Sequence, residues 1–112
     1  FKICSAPLDE HRGSGEAVAF IDASPDADGI CHCAIANQSL GLELGLEFSK
    51  SQRPWVTNWQ HWGKKEYVMA LEPCTHPPIG QAKAREEGTL IHLEPGEKRS
   101  YDIKLTVDEI NS

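Results

Sequence analysis

Residues 59–76 hold the side chains of this 112-residue sequence whose types and spacing could do chemistry. Trp59, Gln60 and His61 stand in a row, an alternating apolar run then ends at Glu72, and His76 follows in a proline-rich segment. Carboxylates and imidazoles are common proton donors and acceptors in enzymes. Prolines restrict the backbone, so we predict that they hold His76 in a limited region beyond Glu72. Glu72 and His76 are therefore a candidate acid–base pair.

Aromatic and amide side chains give the same stretch a second possible role. Trp55, Trp59 and Trp62 lie close together, and Asn58 and Gln60 stand between them. Aromatic faces stack on the apolar C–H faces of sugar rings, and amides pair with hydroxyls. The alternative is structural, because tryptophans often belong to a core and a strand-terminal carboxylate is usually only solvated. The residue types alone leave both interpretations open.

The spacing of the cysteines argues against a metal site or a disulfide framework. Cys31 and Cys33 would share one face of a strand and His32 the other, so the three side chains are poorly placed to bind one metal ion. The spacings to Cys4 and Cys74 match no metal or disulfide framework. We interpret the cysteines as small buried hydrophobes in a reducing cytoplasm, and we expect no metal site.

A formal net charge of −6 argues against nucleic acid and anionic membrane surfaces, which require clustered Lys and Arg. No apolar run approaches the roughly 20 residues that a membrane-spanning helix needs. The start of the sequence also lacks the apolar segment of a signal peptide. We therefore expect partners other than nucleic acid or a membrane.

Hydrophobic alternation predicts the elements that must position these residues. Large apolar residues occupy every second position in residues 40–48, 67–71 and 101–107, as in half-buried strands. This places Glu72 on the face opposite Tyr67, Met69 and Leu71. Less regular strands are predicted at residues 1–6, 17–22, 29–37, 54–61 and 89–93, with turns at 11–15, 24–29, 51–54 and 94–97.

A short helix is predicted at residues 81–87, ended by Gly88, and residues 93–97 resemble the turn of a closing hairpin. The pattern predicts an all-β fold, an antiparallel β-sandwich that forms a single domain over residues 1–112. We expect at least six strands and at most one short helix.

Several segments resemble a bacterial family of uncharacterised proteins related to aldose 1-epimerase (galactose mutarotase). The resemblance covers roughly residues 20–108, and its more specific parts are Ala70-Leu71-Glu72-Pro73, residues 84–90 and Leu93-Glu94-Pro95-Gly96-Glu97. It implies a large antiparallel β-sandwich that cradles a small sugar in a concave sheet, with this chain as the C-terminal portion. It also implies that Glu72 is the general base, with Trp59, Gln60, His61 and His76 as candidate sugar contacts.

In the related epimerases, a His on an earlier strand protonates the ring oxygen, and none of His32, His61 and His76 maps onto it. The resemblance also implies that this step needs neither a metal nor an organic cofactor. We therefore expect the chain alone to lack appreciable mutarotase activity. A non-catalytic sugar-binding sandwich and an assembly module are the alternatives. Because a partial sandwich exposes strand edges and apolar surface, we also expect a homo-oligomer formed through those edges.

Overall fold

Six strands and one short helix follow one another in the computed structural model, which describes residues 3–7 and 16–110. The strands are β1 (Glu16–Ile21), β2 (Ile30–Asn37), β3 (Leu42–Ser49), β4 (Trp55–Trp62), β5 (Tyr67–Cys74) and β6 (Ile103–Glu109), and the helix is α1 (Gln81–Glu86). This confirms the predicted all-β fold with one short helix. Within the described residues, no helix is long and apolar enough to cross a membrane.

The strands form two three-stranded antiparallel sheets with the orders β1-β4-β5 and β2-β3-β6. Sequential strands pair in two hairpins, β2 with β3 and β4 with β5. The outer strands β1 and β6 join by longer connections, so each sheet combines local and distant parts of the chain. The two sheets pack face to face as a β-sandwich.

The core lies where the alternating apolar faces of the two sheets meet. Cys31, Leu46 and Phe48 come from β2 and β3, and Val56 comes from β4; Phe48 is only 2% exposed. Ile21 and Leu71 pack against this cluster from β1 and β5. Full burial of an aliphatic or aromatic side chain contributes about 1.5–3 kcal/mol. Because this burial is favourable, the apolar positions of β3 and β5 determine which face of each sheet packs against the other sheet.

Two predicted strands begin later than expected. β3 starts at Leu42 rather than Leu40, because residues 38–41 form the hairpin turn and Gly41 has a φ of +67°. Leu40 remains 69% exposed in that turn. β6 starts two residues after Tyr101, since Asp102 is engaged by the loop after β3: its backbone N–H donates to Gln52 Oε1 at 2.8 Å.

Two other predicted strands and the closing hairpin do not form. Residues 3–6 have no strand structure, and Phe1 and Lys2 lie outside the described residues, as does the turn predicted at 11–15. Residues 89–93 are not a strand either. The turn at 94–97 does form, with Gly96 at φ +81°, but β6 pairs with β3 instead of folding back on residues 89–93. This register sets Ile103, Leu105 and Val107 opposite Phe48, Leu46 and Leu44, so the apolar positions of the two strands share one face.

The helix ends as its sequence predicts. Gly88 adopts a φ of +76°, its N–H donates to Arg85 O at 3.2 Å, and Thr89 N–H donates to Ala84 O at 2.9 Å. This pair of bonds is a Schellman motif, which favours glycine at the left-handed position. Ala84 is the buried residue of the helix.

Candidate functional site

The register of β4 and β5 decides which candidate residues can act together. Glu72 pairs with Thr57, and Trp59 pairs with Ala70. Because successive strand residues point to opposite faces, Trp59, His61 and Glu72 share one face of the sheet. Leu71 packs against the core from the other face. Glu72 is exposed and points away from the core, as the alternation predicts.

This outer face of β1-β4-β5, here called the Trp59 face, combines an apolar centre with polar ends. Val18, Phe20 and Val68 are 51%, 44% and 38% exposed, although all three are large apolar residues. Val18 pairs directly with Trp59 across the β1–β4 ladder. The Trp59 face consists of Glu16, Val18, Phe20, Trp59, His61, Val68 and Glu72.

Polar contacts fix the aromatic side chains of this face. Trp59 Nε1 donates to Glu16 Oε2 at 3.1 Å, and the Trp59 and His61 rings lie 5.8 Å apart at a 60° tilt. His61 Nδ1 donates to the backbone oxygen of Glu66 at 2.5 Å, which ties the ring to the β4–β5 turn. The two rings are therefore held in place before any ligand arrives.

Gln60 does not belong to the Trp59 face. It points between the sheets, where it is 1% exposed, and its Nε2 donates to Asn58 Oδ1 at 2.9 Å. Trp62 Nε1 donates to Gln60 Oε1 at 3.1 Å, and Asn58 Nδ2 donates to Ala70 O at 3.0 Å. These residues form an internal polar ladder, so the structure separates Gln60 from Trp59, His61 and Glu72.

His76 lies beyond the end of β5, in the loop that leads to α1. It is partly buried, and its Nδ1 donates to Pro77 O at 2.8 Å. The described part of the chain contains no hydrogen bond between His76 and Glu72. β5 also continues past Glu72 through Pro73 to Cys74, so the proline does not end the strand. Proline is tolerated there because β5 is an edge strand of its sheet as described.

Spacing along the sheet limits what Glu72 can do with His61. The row Trp59–Ala70 separates the row of Glu72 from the row of His61. At about 3.3 Å per residue, four residues along the strand correspond to about 13 Å between these rows. Trp59, the diagonal neighbour of Glu72, is nearer, at about 7–8 Å between Cα atoms. The face thus presents a ring platform flanked by a carboxylate and an imidazole.

Two cavities between the sheets are separate from this face. The larger, of about 590 Å³, is lined by Ala19, Ile21, Cys33, Ala34, Asn58, Met69 and Leu71. A smaller one of about 180 Å³ lies between Leu44, Leu46 and Leu105 of one sheet and Met69 and Leu71 of the other. Neither includes Glu72 or His61.

The cysteines and His32 are arranged as the alternation of β2 predicts. Cys31 is fully buried, and burial raises the pKa of the Cys33 thiol. His32 lies on the opposite face, where its Nε2 contacts Asp26 Oδ2 at 2.8 Å and its Nδ1 contacts Glu47 Oε1 at 3.2 Å. Among the described residues, no three His, Cys, Asp or Glu side chains converge to hold a metal ion.

The His32 cluster was not among the candidates from sequence, since Asp26 and Glu47 come from different elements. Its hydrogen bond to Asp26 is the main cause that raises the pKa of His32, and the same bond lowers the pKa of Asp26. Because both ring nitrogens already have carboxylate partners, the cluster ties the loop before β2 to the sheet and leaves no ring nitrogen for a ligand.

Comparison with known proteins identifies a family but no function. A search of curated proteins and a search of solved structures each found no match. A family model described as "Domain of unknown function (DUF4432)" matches residues 2–107, which is nearly the whole chain. The chain therefore belongs to the DUF4432 family.

Proposed function

We propose that the Trp59 face binds a small sugar, in the manner of an aldose 1-epimerase-like protein with Glu72 as its general base. The observation that carries this proposal is that Glu72, Trp59 and His61 share one accessible sheet face. The resemblance of residues 70–73 to the strand that bears the epimerase base supports the same residue.

The chemistry of the face suits a carbohydrate better than an apolar or an ionic ligand. A sugar ring has apolar C–H faces and a polar rim of hydroxyls. Trp59 and Phe20 offer aromatic surface to the C–H faces. Glu16, His61 and Glu72 offer hydrogen-bond acceptors to the hydroxyls. Trp59 is held by Glu16 and does not need to be ordered on binding, which lowers the entropic cost of association.

Catalysis would require more than this face provides. Ring opening needs one group to remove the proton of the anomeric hydroxyl while another protonates the ring oxygen as its bond to the anomeric carbon breaks. His61 stands about 13 Å along the strands from Glu72, too far for both side chains to act on one small ring. The alternative, a non-catalytic sugar-binding face, uses the same residues without proton transfer.

Ligand-observed NMR with galactose and glucose tests binding. We expect saturation transfer from the protein to the sugar C–H protons. In the spectrum of the protein, we expect the signal of the Trp59 indole N–H to shift as sugar is added. Trp59→Ala removes the platform and should weaken affinity about 5- to 150-fold, if the sugar ring gains as much from stacking as a nucleic-acid base does, about 1–3 kcal/mol. Glu72→Gln should also weaken it, whereas Glu94→Gln, an exposed carboxylate in the 94–97 turn, is the matched control and should not.

Absence of saturation transfer at tens of millimolar sugar, with the chain folded, would refute sugar binding. Polarimetry on freshly dissolved galactose separates the two versions of the proposal. A non-catalytic face leaves the mutarotation rate at that of buffer. A faster rate that Glu72→Gln abolishes would assign catalysis to this chain and an acid role to one of its own histidines.

A further inference from the structure

β6 lies at one edge of the sheet β2-β3-β6 as described, and its apolar side is largely uncovered. Leu105 and Val107 are 66% and 69% exposed. An exposed strand edge carries backbone donors and acceptors that a second strand can satisfy. An exposed strand edge with apolar side chains is a typical site of strand pairing.

Hydrogen bonds at both ends of β6 establish which of its backbone groups face outward. Asp102 N–H donates to Gln52 at 2.8 Å and Ile110 N–H donates to Gly41 O at 2.8 Å, both toward the β3 side. The β3–β6 register runs without interruption from Ile103 to Glu109. Because backbone groups alternate in direction along a strand, the N–H and C=O groups of Leu105 and Val107 face away from β3.

The other face of β6 carries a negative charge, Asp108, beside a second negative charge on β3. Asp108 stands directly opposite Glu43 of β3, and like charges in such positions are destabilising. Lys104 is 69% exposed in its side chain and lies 4.0 Å from Glu47. Lys104 and Asp108 are symmetric about Thr106, two residues to either side.

We propose that two copies of this chain pair antiparallel through β6, with the two-fold axis at Thr106. This register sets Lys104 of each copy opposite Asp108 of the other, so each acidic Asp108–Glu43 pair gains a cation. It also sets Leu105 opposite Val107 of the second copy, and these residues exchange backbone hydrogen bonds through their outward groups. The result is a continuous six-stranded sheet.

Charge selects this register over its neighbours. A two-fold axis at Leu105 would set Asp102 opposite Asp108, and one at Lys104 would set two lysines opposite each other. An axis at Val107 would leave Lys104 opposite Ile110 and Asp108 opposite Thr106. Of the four axes at Lys104, Leu105, Thr106 and Val107, only the one at Thr106 forms two oppositely charged pairs without a like-charged one.

Sedimentation velocity over a range of concentrations tests the proposal on the full chain. We expect twice the monomer mass of 12.4 kDa at high concentration. Lys104→Glu and Asp108→Lys should each raise the dissociation constant about tenfold, since each reverses two cross-strand pairs per dimer. The double variant, Lys104→Glu with Asp108→Lys, should restore the constant to within about twofold.

Lys98→Glu changes the net charge as Lys104→Glu does but lies outside the strands, and it should leave the constant nearly unchanged. Amide exchange gives the register: Leu105 and Val107 should become protected as concentration rises, while Thr106 is protected throughout. A monomer at all concentrations would overturn the proposal. So would equal weakening by Lys98→Glu, failure of the double variant to restore pairing, or protection of Leu105 and Val107 in the monomer.

Discussion

Replacing Gln60 with Ala tests whether its side chain serves the fold or the ligand. Gln60 is 1% exposed and bridges Asn58 and Trp62. Its loss leaves Asn58 Oδ1, in a side chain only 3% exposed, without its donor, at a cost of about 1–3 kcal/mol. The lost bond to Trp62 adds about 0.5–1.5 kcal/mol, and the lost methylene adds about 0.8 kcal/mol.

The rotamer entropy that a buried Gln gives up, about 1.5–2 kcal/mol, offsets part of this cost. The net loss of unfolding free energy should be about 1–3 kcal/mol, which corresponds to a fall in the urea midpoint of roughly 1–2 M. Tryptophan fluorescence during urea titration measures it. Gln81→Ala, at the exposed start of α1, is the matched control and should stay within about 0.5 kcal/mol of the parent.

Sugar affinity completes the experiment. Gln60 faces away from Trp59 and Glu72, so the folded Gln60→Ala variant should bind sugar as the parent does, measured where both are fully folded. Unchanged stability combined with lost affinity would refute the reasoning, because it would mean that Gln60 contacts the ligand and not the interior of the sandwich.

Three further substitutions test the core, the Trp59 face and the His32 cluster. Phe48→Ala should cost about 3–5 kcal/mol in urea titrations, whereas Phe20→Ala, from the exposed outer face, should cost far less and weaken sugar binding instead. The His32–Asp26 contact should make stability depend on pH, because the pKa of His32 is raised and that of Asp26 is lowered. The contribution of this contact to stability is fully present between about pH 4 and 6.5. It is lost as pH rises through the raised pKa of His32 or falls through the lowered pKa of Asp26, and it should vanish in His32→Gln. Parallel curves of urea midpoint against pH for the parent and the variant would contradict it.

The strand with the clearest alternation was the easiest to predict from sequence. β3 has large apolar residues on one face and Gly or Glu on the other, so its buried side follows from the pattern alone. β6 shows the same contrast, and β5 shows it only in part, because Val68 and Ala70 share the outer face with Glu72. Glu72 could be assigned to the outer face for this reason, because Leu71 and Met69 define the inner one.

β1 shows where such a pattern fails. Its sequence alternates Ala17, Ala19 and Ile21 with Val18 and Phe20, so both faces are apolar. The larger residues would be the expected core, yet Ile21 packs on the core and Val18 and Phe20 point outward. The side of β1 that faces the core is determined by its packing against β2 and β3, and the sequence of β1 itself does not predict that side. The apolar half of the Trp59 face was therefore missed.

Pairing between distant strands was the other limit. Residues 89–93 and 103–109 are close in sequence and suggested a hairpin, but β6 pairs with β3, about sixty residues earlier. Local turn chemistry at 94–97 was predicted correctly, because Pro95 and Gly96 act on their own backbone. The choice of partner depends on how well two apolar faces match, and a single sequence does not rank those matches.

The two proposed surfaces belong to different sheets, which makes their tests independent. The Trp59 face is the outer side of β1-β4-β5, whereas β6 is the edge of β2-β3-β6. Pairing through β6 extends one sheet sideways and covers no residue of the Trp59 face. Charge reversal at Lys104 should thus change mass and not sugar affinity, and Trp59→Ala should do the opposite. A variant that changed both would mean that the sugar and the second copy compete for one surface.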